Sequence, residues 1–137
     1  MSTHPYIRAY MAGVALPSMF MLVIFSFFCA ARFVYDVPFP LERLVVFPLA
    51  LVPNLWGAWN MLHLAARSRL PISLGLHGAA LPLILAPSGL LVAKALGFTL
   101  PSFFLAGFSL GLPVALVFYY LIWKYFVAFL NRLLGIG

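Results

Sequence analysis

Apolar residues run through the chain in four blocks, approximately 9–33, 44–66, 72–96 and 102–123. Each is near the roughly 20 residues that a helix rising 1.5 Å per residue needs to cross a hydrocarbon core. The breaks between them read "VYDVPFPLER", "RSRLP" and "GFTLP"; all three contain proline and two contain charge. Links this short make consecutive helices antiparallel neighbours. The pattern predicts an all-α integral membrane protein, one four-helix domain over 1–137, folded as an up-down-up-down bundle of kinked transmembrane helices. The last block continues as "KYFVAFLNRLLG", where Lys124, Asn131 and Arg132 share one arc at about 100° per residue. Residues 124–134 are therefore expected as an interfacial extension of the fourth helix.

Proline recurs inside every block: Pro17, Pro48 with Pro53, Pro82 with Pro87, and Pro113. Each leaves a carbonyl one turn back without its helical donor, and in lipid that carbonyl needs another. Ser18, Asn54 and Ser88 come directly after prolines and are placed to satisfy loosened backbone locally. The stretches "FPLALVPN" (47–54) and "LPLILAPS" (81–88) also share a P-L-x-L-x-P pattern. In antiparallel helices, matched proline breaks point to a carrier-like site between the second and third helices; two kinked helices packing alike is the simpler reading.

Polar positions give the second helix a seam. On an ideal wheel Glu42, Pro53, Trp56, Asn60, His63 and Arg67 fall within about 80°. Such groups are costly against lipid, so the seam is expected to face the bundle interior or a partner. His63 lies near the end of the second helix and His77 near the start of the third, which brings them to similar depth with His4 on the same side. Imidazoles at one level offer ligands to haem iron or a metal, although hydrogen-bonded interfacial histidines are the simpler reading. Arg67 and Arg69 nearby disfavour a divalent cation and suit a propionate or phosphate. In the fourth helix, Gly107-x-x-x-Gly111 has the spacing that lets helix backbones approach, within the chain or in a homodimer. Tyr119, Tyr120, Trp123 and Tyr125 read as an interfacial aromatic belt.

Composition narrows the function. With 137 residues, 66% hydrophobic and 7% charged, the chain belongs in a bilayer. The net charge of +6 comes from basic residues scattered singly at segment ends, which suits topology and lipid anchoring rather than nucleic acid. Arg8, Arg67, Arg69, Lys124 and Arg132 collect on one face; Arg32, Arg43 and Lys94 collect on the other with Asp36 and Glu42. The positive-inside bias then predicts cytoplasmic termini, with a bacterial inner membrane as the expected location. The first block is longer than a signal-peptide core and is interrupted by Pro17 and Ser18, so it reads as a retained span. A single cysteine, Cys29, excludes an internal disulfide and a cysteine-based zinc cluster.

Catalysis finds little support. The only carboxylates, Asp36 and Glu42, sit near the outer loop, where pairing with Arg32 and Arg43 is expected. No Gly-rich phosphate loop, HExxH or Ser-His-Asp set is present. Small multidrug exporters are similar in size, but they rely on a glutamate embedded in the first helix, and this first block has none. The expectation is a non-enzymatic subunit or scaffold of a membrane complex, partnered by lipid and by other membrane subunits or itself. A small oligomeric carrier or channel is the first alternative, and a haem-, quinone- or pigment-binding unit the second.

Overall fold

The computed structural model describes residues 4–38, 40–98 and 102–136, without the side chains of 103–106 and 108. The described residues are helical with no strand, and four helices are long and apolar enough to cross a membrane: Pro5–Val34, Leu41–Ala66, Leu74–Ala95 and Ser109–Leu133. The "GFTLP" break lies partly outside the described residues.

Pro5 opens the first helix at a position where its missing N–H costs nothing. One face, Ala9, Ala12, Gly13 and Pro17, is buried against the second helix. Asp36 then turns the chain at φ 52°, a left-handed conformation that aspartate tolerates better than most residues.

The second helix is broken. Phe47 is extended (φ −140°, ψ 127°) before a cis bond to Pro48. The proline ring crowds the preceding residue out of the helical region, so the break falls at Phe47. Regular helix resumes over Leu51–Ala66 with Pro53, Trp56, Gly57 and Asn60 buried. One member of the predicted seam is therefore lost: Glu42 lies beyond the break, where the ideal wheel no longer carries its phase across.

The third helix is capped by the Ser73 hydroxyl, which accepts from the Leu76 N–H at 3.4 Å, and turns at Ala80 between Leu74–Ala79 and Leu81–Ala95. Leu81, which matches Phe47 in the shared pattern, lies inside the helix Leu81–Ala95, so the sequence match of 81–88 with 47–54 is not a match of backbone geometry.

The fourth helix runs over Ser102–Ile122, passes through a wide turn at Trp123–Val127 and continues over Ala128–Leu133. A wide turn holds one extra residue and rotates the residues beyond it by about 100°. Asn131, expected on a polar arc with Lys124 and Arg132, is consequently only 7% exposed. Trp123, expected in the aromatic belt, is fully buried in a cluster with Trp56, Leu81 and Val127. Large side chains such as Phe20, Phe27, Leu91 and Val114 cover the outside.

The two ends of the bundle differ. At one, Arg8 Nη1 donates to the Leu134 carbonyl at 3.3 Å and Arg67 Nη1 to the Ile136 carbonyl at 3.2 Å. At the other, the Arg43 guanidinium lies 5.8 Å from the centre of the Phe98 ring. The two carboxylates of the sequence, Asp36 and Glu42, follow the end of the first helix. Both are exposed, where an ion pair gains little.

Candidate functional site

Three helices converge on Asn60. Its Nδ2 donates to the Ala9 carbonyl of the first helix and to Asn131 Oδ1 of the fourth, both at 2.8 Å, while Asn131 Nδ2 donates back to Asn60 Oδ1 at 3.2 Å. Ala9 permits this approach because it has almost no side chain. Asn60 is 1% exposed, and a buried amide with reciprocal partners meets the requirement that buried polar groups be satisfied. Asn131 was not among the expected site residues. Its helical phase hid it, since only the wide turn brings it inward.

Beside the amide pair lies an aromatic stack. His77 lies against Trp59 with ring centres 4.6 Å apart at 21°. Trp59 Nε1 donates to the His77 carbonyl at 2.8 Å, and His77 Nε2 lies 2.9 Å from the Trp59 carbonyl. His63 and His77 do come together, with ring centres 4.9 Å apart. That spacing leaves no room for a porphyrin plane between the rings, and Nε2 of His77 is already engaged. No group of three metal-binding side chains occurs among the described residues, and His4 does not join the pair. These residues do not fit a haem or a metal ion. The Trp56 indole N–H has no hydrogen-bond partner among the described residues, and its ring meets Tyr119 and Trp123 at 5.0 and 5.4 Å.

Above the amide pair a cavity of about 270 Å³ opens between Asn60, His63, Arg67, Asn131 and Arg132, with Leu64, Leu74 and Ile136 as its aliphatic wall. Trp56 and His77 do not line it. The seam of the second helix thus has two parts, a packed one at Pro53 and Trp56 and an open one from Asn60 to Arg67.

Two further candidates lie elsewhere. Asn54 Nδ2 donates to the Ala50 carbonyl at 2.7 Å, and Tyr10 Oη donates to Asn54 Oδ1, so this amide bonds back to its own helix, one residue beyond the Leu49 carbonyl that Pro53 frees, and ties the first two helices. Ser88 is half-buried and makes no side-chain hydrogen bond among the described residues, so it does not satisfy the backbone loosened by Pro87.

Gly107 and Gly111 do not pack against another element among the described residues. Of those residues, nothing beyond their own helix lies within 4 Å of a methyl group built on either, and both are exposed. They line a second cavity of about 590 Å³, bounded also by Met21, Val52, Pro82, Ala86 and Tyr119. The close approaches occur at glycines that the Gly-x-x-x-Gly spacing does not mark. A methyl on Gly13 would lie 2.5 Å from the Trp56 carbonyl oxygen, one on Gly57 would lie 2.5 Å from the Tyr10 ring, and one on Gly78 would overlap Trp123. Ala9-x-x-x-Gly13 is the same small-residue spacing and was the available signal.

Comparison with protein-family models, curated proteins and solved structures finds no match to this chain.

Proposed function

We propose that this chain is a non-enzymatic membrane subunit, inserted as an up-down-up-down bundle with cytoplasmic termini, that receives one apolar transmembrane helix of a partner protein in the cleft beside Gly107 and Gly111. The carrying observation is a contrast among its glycines. Gly13, Gly57, Gly75, Gly78 and Gly89 all lie within helices, and a methyl on any of them would come closer than 3.0 Å to another atom. Helical glycine in this chain marks close approach, and no element among the described residues makes that approach at Gly107 and Gly111.

A helix backbone is the occupant that uses this spacing. Glycines one turn apart let it come near enough for van der Waals and Cα–H···O contacts, a gain that a fluid acyl chain does not need. The concave setting favours a single helix of another subunit over a second copy, whose own glycines would lie inside its own cleft. The lining is apolar apart from Tyr119, which suits packing better than transport of a polar solute.

Gly111→Cys in a Cys29→Ser background tests this. The thiol is expected to resist a membrane-permeant maleimide in native membranes, to react after purification in detergent, and to be protected again when a stoichiometric partner is restored. A disulfide between two copies would mean a homodimer, and equal protection in pure lipid would mean acyl chains; either result overturns the reading. Reporter fusions after Arg8 and after Gly137 are expected to be active in the cytoplasm and one at Asp36 inactive there; a split between the termini would overturn the topology.

A further inference from the structure

We infer that the cavity above the Asn60–Asn131 pair is a binding site for a phosphate-bearing anion, filled in the bilayer by the headgroup of an anionic lipid. This goes beyond the partner-helix cleft, which is lined by different residues and opens beside Gly107 and Gly111.

Charge selects the class of ligand. Arg67 and Arg132 line the cavity, and Arg8 lies close by, tied to the Leu134 carbonyl. No carboxylate lines it. The only two acidic side chains in the sequence are Asp36 and Glu42. Glu42 lies at the opposite end of the second helix, roughly 38 Å of helical rise from Arg67 at 1.5 Å per residue. The positive charge gathered here has no side-chain counter-ion within the protein.

Geometry narrows the ligand. Arg67 spends one N–H on the Ile136 carbonyl, and a guanidinium carries five donors in a planar fork suited to phosphate oxygens. His63 lines the cavity and makes no side-chain hydrogen bond among the described residues, which leaves a ring nitrogen to donate. The floor is the reciprocal Asn pair, whose carbonyl oxygens face each other's amides rather than the cavity. The site therefore offers donors and positive charge, which repels a cation and receives an anion. The aliphatic wall of Leu64, Leu74 and Ile136 suits the glycerol and first methylenes below a lipid phosphate. The position at the end of four membrane-length helices puts the cavity at headgroup level.

Native mass spectrometry of the full chain released from nanodiscs of equal phosphatidylglycerol and phosphatidylcholine tests the site. Wild type is expected to retain one phosphatidylglycerol. Arg67→Gln and Arg132→Gln are each expected to lower that retention about five-fold, the worth of one arginine near an anionic headgroup. Arg67→Lys should keep part of it. Arg69→Gln, which changes an exposed residue outside the cavity, should leave retention unchanged. Equal loss in Arg69→Gln, or no loss in the double Arg67→Gln, Arg132→Gln variant, would overturn the site.

A further arm separates the sources of the phosphate. Inorganic phosphate titrated into lipid-free micelles should bind far more weakly than the lipid; saturable, Arg67-dependent binding without lipid preference would mean a soluble phosphate ligand instead and would overturn the lipid assignment.

Discussion

Gly13 and Gly107 both lie in long apolar helices and have opposite surroundings. Gly13 faces the backbone of the second helix so closely that a methyl group would meet Gly57 Cα at 2.9 Å, whereas Gly107 faces nothing within 4 Å among the described residues. The difference separates two regions. Near Gly13, Asn60 and Trp123 the helices are joined by buried amides and tilted ring contacts. In the first half of the fourth helix, exposed residues such as Leu110 and Val114 flank an open cleft. Small-residue spacing states that a backbone is to come close, and it does not state which backbone. Within a bilayer no hydrophobic gain draws helices together, so a close contact forms only where shapes and hydrogen bonds match.

The strongest way to break this comparison is to fill the packed glycines. Gly78→Ala and Gly13→Ala should each destabilise the monomer by about 1–3 kcal/mol, the usual cost of overpacking, read as unfolding in mixed micelles. Gly13 is the harder case to accommodate, because the atoms a methyl would meet belong to backbone rather than to a movable side chain. Unchanged stability in both would mean that the two regions are equally loose.

Asn60→Leu comes next. It removes two donated bonds and one accepted bond and leaves the Asn131 amide unpaired. Interhelical hydrogen bonds in membranes average about 0.6 kcal/mol, so a loss of about 1–2 kcal/mol is expected. The double change Asn60→Leu, Asn131→Leu should cost less than the two single losses added, because neither amide is then stranded.

Gly111→Ala should act in the opposite direction. In the isolated monomer it fills open space and gains helix propensity, at most about 1 kcal/mol. In the native complex it should weaken partner recovery instead, and a loss of monomer stability would place Gly111 in the packed region. The smallest effect is expected for Trp59→Phe, which keeps the ring stack on His77 and deletes one hydrogen bond to its carbonyl, about 0.6 kcal/mol by the same average. A much larger loss would make the indole N–H a principal tie between the second and third helices.

Local properties of the chain determined the helix count. Hydropathy over some twenty residues is additive and needs no knowledge of neighbours, so the four membrane-length helices were legible, and so was the meeting of His63 with His77 across a short link. Phase along a helix is different, because one irregular turn displaces every residue beyond it. Phe47 separated Glu42 from the seam, and the wide turn at Trp123–Val127 carried Asn131 from an expected exposed arc to the side of Asn60. The choice between glycines was also out of reach. Gly13 and Gly107 carry the same absence of side chain, and only the position of a second backbone, set by the whole packing, makes one a contact and leaves the other open.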